Sequence, residues 1–328
     1  MNILEITPDL AGATLAALLR KRFPDHSWTA VRKLVAARQV RINADLCLDP
    51  ARRLKAGDIV EVFDQPLPKL PARADIVLRH LDRHVVVVEK PAGIPTVRHP
   101  AERDWPAQRK ALVPTLDDLV LGQLRKGEEA PLKGKRPRLR IVHRLDKETS
   151  GLVGFARTVE AERGLGRQFK EHTVIRRYLA IVQGPISSRR IASRLVRDRG
   201  DGRRGSSTLP GLGKEAVTHV EVVEPLPGFT LLSCRLETGR THQIRIHLSE
   251  LGHPVCGDKV YRGRPGEFQP ADASGAPRLA LHATELGFRH PVTGETMHWS
   301  MPLPADLQDF LDCLRSKRGQ RANQMDGP

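Results

Sequence analysis

The chain has 328 residues, 54 Lys and Arg against 38 Asp and Glu, a formal charge of +16 and 39% hydrophobic residues. The apolar share excludes a chain disordered throughout, and the cationic excess points to a polyanionic partner, nucleic acid first. No apolar run reaches the roughly 20 residues that span a bilayer, Glu5 and Asp9 interrupt any leader-like N-terminus, and four scattered cysteines form no Cys-x-x-Cys pair; the expectation is a protein of the cytoplasm with no membrane partner, zinc site or disulfide framework.

In chain order, a first module is expected over residues 10–63. Leu15, Leu18 and Leu19 have helical spacing, and a second helix starts at Ser27 as N-cap, with Val31, Leu34 and Val35 as its apolar stripe and Arg32, Lys33 and Arg38 projecting elsewhere. Val40-Arg41-Ile42 alternates like a strand, Asn43-Ala44-Asp45 reads as a turn, and Gly57-Asp58 precedes a strand over Ile59–Val62. Two short basic helices followed by a small sheet resemble the S4 RNA-binding domain, which implies that Arg32, Lys33, Arg38 and Arg41 meet RNA. Residues 64–74 hold the proline-rich stretch Gln65-Pro66-Leu67-Pro68-Lys69-Leu70-Pro71, which reads as a semi-rigid linker.

Residues 75–314 are expected to form one larger domain, and 315–328 a disordered tail. Val85–Val88 is an unbroken β-branched run, hence a buried strand. Residues 96–140 form a charged, proline-containing insertion with one helix capped at Thr115 and striped by Leu116, Leu119, Val120 and Leu124; its end, 133–140, is nearly all basic or small. Tyr178–Val182 and Phe229–Leu236 read as strands, separated by a second arginine-rich loop over 189–204. Thr241 is expected to cap a helix that buries Ile244, Leu248 and Leu251 and stops at Gly252.

The densest polar cluster is His143-Arg144-Leu145-Asp146-Lys147-Glu148-Thr149-Ser150-Gly151. An Asp between Leu and Lys is ordinarily a solvated turn residue. Here Ile141-Val142 on one side and Leu152-Val153-Gly154-Phe155-Ala156 on the other read as strands, and a loop held by two strands is a good mount for a catalytic carboxylate. The stretch resembles the signature of the RluA family of pseudouridine synthases. Further matches follow in order: Glu89-Lys90-Pro91-Ala92-Gly93-Ile94-Pro95, Arg176-Arg177-Tyr178-Leu179-Ala180, Gly213–Thr218, Glu237–His247, Gly252–Asp258 and Leu281–Glu295.

The resemblance implies an α+β pseudouridine synthase fold, a long, mixed, mostly antiparallel bent sheet with flanking helices. It implies a reaction in which the bond between ribose C1′ and uracil N1 breaks, the base turns, and C5 joins C1′. Such chemistry needs one ionised carboxylate near C1′; no water is activated and no electrons move, so no second carboxylate and no cofactor is expected. By resemblance, Asp146 is the nucleophile, Arg245 is its cation through a charge-assisted hydrogen bond, and Tyr178 packs on the target base and helps remove the C5 proton. Arg144 would enter the RNA stack where the uridine flips out, and His143, Ile244 and Arg240 would also meet the substrate. Without the resemblance, Tyr178 would read as core, and Arg144 and Arg245 as phosphate contacts. His242 and His247 lie five apart, about 140° around a helix, and so do not share a metal-binding face.

The expected partner is RNA, large-subunit ribosomal RNA first by analogy with the S4-like module and tRNA second, with the protein acting as a monomer. The competing reading is a non-catalytic RNA-binding or assembly protein on the same fold. The joint presence of Asp146, Arg245 and Tyr178 favours the enzyme.

Overall fold

The computed structural model describes residues 2–43, 45–66, 76–127, 138–267 and 271–325. The chain forms two compact units, Met1–Asp75 with Arg98–Pro114, and Ile76–Val97 with Thr115–Pro328.

The first unit contains strand β1 (Asn2–Glu5), helices α1 (Leu15–Arg22) and α2 (Trp28–Ala36), strands β2 (Val40–Ile42), β3 (Asp45–Leu46) and β4 (Ile59–Val62), and helix α3 (Ala107–Leu112). Thr14 caps α1 and Ser27 caps α2 by accepting from Ala17 N and Ala30 N. The antiparallel sheet has the order β1-β4-β2-β3, and its core holds Leu15, Leu19, Val31, Val35, Val40 and Val60. Two expected boundaries need correcting. The sheet starts at Asn2, not at residue 10, because β1 pairs with β4 and Ile6 is buried. Residues 98–114, read as part of the catalytic domain's insertion, belong to this unit; Arg98 there donates to the carbonyls of Lys110 and Val113, closing the stretch on itself. Most of the linker, and residues 133–137 of the first basic stretch, lie outside the described residues.

The second unit runs β5 (Leu78–Leu81), β6 (Val85–Lys90), α4 (Leu116–Gly127), β7 (Arg140–Ile141), β8 (Ser150–Ala156), α5 (Val159–Lys170), β9 (Ile175–Gln183), β10 (Arg189–Val196), β11 (Gly205–Ser206), β12 (Lys214–Leu226), β13 (Phe229–Leu236), α6 (Gln243–Glu250), β14 (Leu281–Arg289), β15 (Thr296–Ser300) and α7 (Ala305–Met325). Its sheet has the order β11-β10-β12-β13-β9-β14-β8-β6-β5, with β15 beside β14 and β7 beside β8. The described pairings are antiparallel except β14 with β8, which is parallel. Both faces are covered, which explains the unbroken valine run of β6: Val86 and Val88 enter one core with α4, α6 and α7, and Val85 and Val87 enter the other with α5. Leu116, Val120 and Leu124 of α4 are buried as their spacing predicts.

Two further expectations differ. Arg189, Arg190 and Arg194 lie on strand β10 and not in a loop, since residues of β10 pair from Arg189↔Val220 to Leu195↔Lys214; only 197–204 remains loop. The segment expected as a disordered tail from 315 continues α7 to Met325, and Arg315 pairs with Glu224 at 2.6 Å.

Candidate active site

Asp146 sits in the loop between β7 and β8. The turn closes with Thr149 N donating to Asp146 O, and three side-chain or backbone ties fasten the loop to the end of β6 and the segment after it. The Nζ of Lys90, a side chain 1% exposed, donates to the carbonyls of Pro91, Lys147 and Thr149 at 2.8, 2.9 and 2.7 Å. Thr96 Oγ1 donates to Leu145 O and accepts from Leu145 N, and Gly93 N donates to Lys147 O. Burial pushes the Lys90 amine down to about 7, while its three acceptors favour the ammonium, whose three N–H bonds match them.

Downstream, Gly151 lets β8 lie parallel against β14. A Cβ at this position would sit 2.2 Å from Ala283 O, and its φ of +124° belongs to glycine. Ser150 is fixed by His282 Nδ1 at 2.9 Å across the same pair of strands.

Helix α6 brings Arg245 to the carboxylate. Arg245 Nη1 lies 3.5 Å from Asp146 Oδ2, an ion pair beyond normal hydrogen-bond length. The guanidinium forks onto Asp258 instead, with Nε and Nη2 donating to Oδ2 and Oδ1 at 2.6 and 2.8 Å. The expected direct hydrogen bond to Asp146 is thus replaced by a bidentate pair with Asp258, because the loop after α6 returns Asp258 to the helix flank. Asp258 also accepts from Val260 N and Tyr261 N. Burial opposes the charge of Arg245, and the Asp258 carboxylate outweighs it, so the guanidinium is held above its ordinary value. The Arg245 Cζ lies 5.1 Å from the Tyr261 ring centroid.

His242, not Thr241, is the residue that starts α6. It occupies the N-cap with a left-handed backbone, φ 60°, and makes no side-chain cap. Its Nε2 is 3.9 Å from Asp146 Oδ1, and its Nδ1 meets the Tyr261 hydroxyl at 2.9 Å. Tyr178, on β9 beside Cys234 of β13, is 7% exposed, and burial pushes its phenol up to about 12. His143 is stacked on Phe169, and its Nε2 accepts from Gly154 N at 2.9 Å; burial pushes its imidazole down to about 3, so the ring is neutral with the proton on Nδ1.

One cleft of about 660 Å³ takes in Asp146, Tyr178, Arg245, Arg144, His143, Ile244 and Arg240, and His242 with them. Arg144 is exposed, and Arg240 Nε is used by Glu215 O. The cations Arg32 and Lys33 are exposed on α2 of the first unit, Arg38 follows that helix with φ 68°, and Arg41 lies over Phe63. Among the described residues no group of three His, Cys, Asp or Glu is arranged to hold a metal ion, and no helix is long and apolar enough to cross a membrane.

Residues 84–250 match the sequence profile of a family described as RNA pseudouridylate synthase. The ribosomal large subunit pseudouridine synthase D of Neisseria meningitidis serogroup A is 36% identical over 326 residues, covering 96% of this chain and 82% of its own. The chain belongs to the RNA pseudouridylate synthase family. The synthase is likewise similar to the protein of the same name from Zymomonas mobilis, 40% identical over 280 residues, 82% of this chain and 83% of that one. Among solved structures, human RNA pseudouridylate synthase domain containing 1 aligns with a TM-score of 0.53 at 27% identity over 72% of this chain and 87% of that one. Human RNA pseudouridylate synthase domain containing 4, with a TM-score of 0.55 at 23% identity over 73% and 92%, shares the fold.

Sequence reasoning did not assign roles to four residues at or behind the synthase cleft: Lys90, Asp258, His242 and Tyr261. Lys90 and Asp258 stood inside matched motifs, which marked the stretches but not their partners. His242 was weighed only as a metal ligand. Tyr261 carried no signal, since its position depends on the return of the loop after α6.

Proposed function

We propose that this synthase converts uridine in large-subunit ribosomal RNA to pseudouridine, with Asp146 acting at C1′ of the target nucleotide. The observation that carries the proposal is a carboxylate in a cleft, on a loop tied through the backbone of Leu145, Lys147 and Thr149, with Arg245 facing one oxygen. In the reaction the C1′–N1 bond breaks, a C5–C1′ bond forms, a proton leaves C5, and one is gained at N1. Asp146 stabilises or bonds the ribosyl C1′ between these events. Arg245, locked by Asp258, supplies a fixed positive charge that needs no rearrangement when charge develops.

Tyr178 forms the floor on which the uracil packs. Its buried phenol, at about 12, is a poor proton acceptor, which favours the packing role. Arg144, exposed beside the nucleophile, is suited to the gap left by the flipped base. His143 acts indirectly by bracing the loop through Gly154, while Ile244 and Arg240 shape the opposite wall. The first unit, read as S4-like, holds RNA through Arg32, Lys33, Arg38 and Arg41. The ribosomal target is supported by the names of the relatives.

The test is carbodiimide primer extension across the RNA of cells with and without the gene. One or more ribosomal stops should vanish on deletion and return with the intact gene, but not with Asp146→Asn. That variant should bind RNA within a few-fold of wild type. Stops lost from tRNA alone would move the target; an unchanged pattern in every RNA would sink the reading.

A further inference from the structure

The two oxygens of Asp146 face different neighbours. Oδ2 lies 3.5 Å from the permanently charged Arg245, and Oδ1 lies 3.9 Å from His242 Nε2. Tyr261, 3% exposed, serves both neighbours: its hydroxyl meets His242 Nδ1 at 2.9 Å, and its ring lies under the Arg245 guanidinium. The tautomer follows from charge. With the Tyr261 hydroxyl donating to Nδ1, Nε2 carries the proton and points an N–H at the carboxylate. The opposite tautomer would aim a lone pair at an anion. Burial lowers the imidazole's affinity for a second proton; Arg245 and Arg204 oppose that proton, and Asp146 and Asp258 favour it, with a lowered value as the net result. His242 is therefore a neutral donor whose Nε2 lies roughly 1 Å beyond a normal N–H···O distance to Oδ1, a gap that the role proposed below requires to close when substrate binds.

We propose that His242, oriented by Tyr261, is a positioning residue that holds the plane of the Asp146 carboxylate through Oδ1 while Arg245 holds Oδ2. The inference rests on Asp146 being the reacting carboxylate. A single cation can hold one oxygen and leave the group free to swing about its Cβ–Cγ bond; a second donor on the other oxygen removes that freedom. A neutral donor does so without drawing off more charge.

The test uses the full chain and large-subunit ribosomal RNA purified from cells lacking the gene. His242→Asn keeps a residue tolerant of the left-handed backbone but is too short to reach Oδ1; His242→Gln restores an N–H near the position of Nε2. The single-turnover rate at saturating RNA should fall about tenfold to a hundredfold in His242→Asn, the range for losing a hydrogen bond to a charged group. RNA affinity should stay within about threefold, since a positioning loss acts on the rate and not on binding. His242→Gln should recover most of the rate, and Tyr261→Phe should lose part of it with affinity again unchanged. A wild-type rate in His242→Asn, a loss confined to RNA affinity, or a glutamine variant no better than asparagine overturns the inference while wild type remains active and Asp146→Asn inert. Inactive wild type on this RNA would instead fail the functional reading, and the positioning role with it.

Discussion

At the scale of single residues, the pair Arg245–Asp258 decides how the carboxylate is served. Arg245 is 6% exposed and Asp258 2%, and the guanidinium spends its fork on Asp258, leaving Nη1 for Asp146. A lysine has one compact charge and cannot do both. Arg245→Lys should therefore lower the single-turnover rate about a hundredfold or more, by analogy with losing a fixed donor at a developing charge. Asp258→Asn leaves a buried cation without its anion and should cost about 3–5 kcal/mol in urea unfolding. An unaltered unfolding midpoint in that variant would show that the pair is not the anchor described here. Arg245 could be chosen from the sequence through its motif, but its true partner could not. Asp258 lies thirteen residues on, and only the tertiary return of the loop sets the two carboxylate oxygens against the fork.

Among elements, the parallel contact of β8 with β14 fixes where the Asp146 loop ends. Gly151→Ala would drive a methyl into the Ala283 carbonyl and force a φ of +124° on an alanine. It should destabilise the second unit by upward of about 3 kcal/mol, read as a lowered melting temperature or loss of soluble protein; a melt indistinguishable from wild type would argue that the strands can part there at little cost. Much of this architecture was legible beforehand. The valine run of β6, the stripe of α4, and the cap Ser27 follow from local periodicity and hydrogen-bonding chemistry, which act within a few residues. What was illegible depended on distant partners. The arginines of β10 read as loop because charge masks a strand whose pairing with β12 supplies the order. Thr241 read as a cap because it has the right side chain, whereas the helix starts at a histidine in a conformation that composition does not favour. The site followed the same rule: its residues were named by motif, and their contacts were not.

For the whole molecule, buried imidazoles set an acid limit. Burial pushes His143 down to about 3, and His247 and His282 to about 4. Each folded value lies below the ordinary 6.5, so between the two the unfolded chain binds more protons than the folded one. Stability is then full above about 6.5 and falls as pH drops toward 4. A histidine displaced from 6.5 to about 4 forfeits about 2 kcal/mol by pH 5. Denaturant midpoints measured from pH 7 to 5 should decline steadily, and replacing His247 by Gln should flatten the slope; a midpoint constant over this range would contradict neutral burial. The order of the large sheet has a temporal consequence. Its sixth position, between β9 and β8, is filled by β14, which begins 98 residues after β9 ends and 125 after β8 ends. Until β14 is made, the edge of β9 that it pairs with and the Ser150–Gly151 end of β8 lack their partner, while β7 covers the Phe155–Ala156 end of β8, and the cleft lacks Leu281 of its lining. An enzyme built this way should be silent as a nascent chain, and a message cut short before Leu281 should leave the open edge of β9 for chaperones or proteases to find rather than a partly active protein.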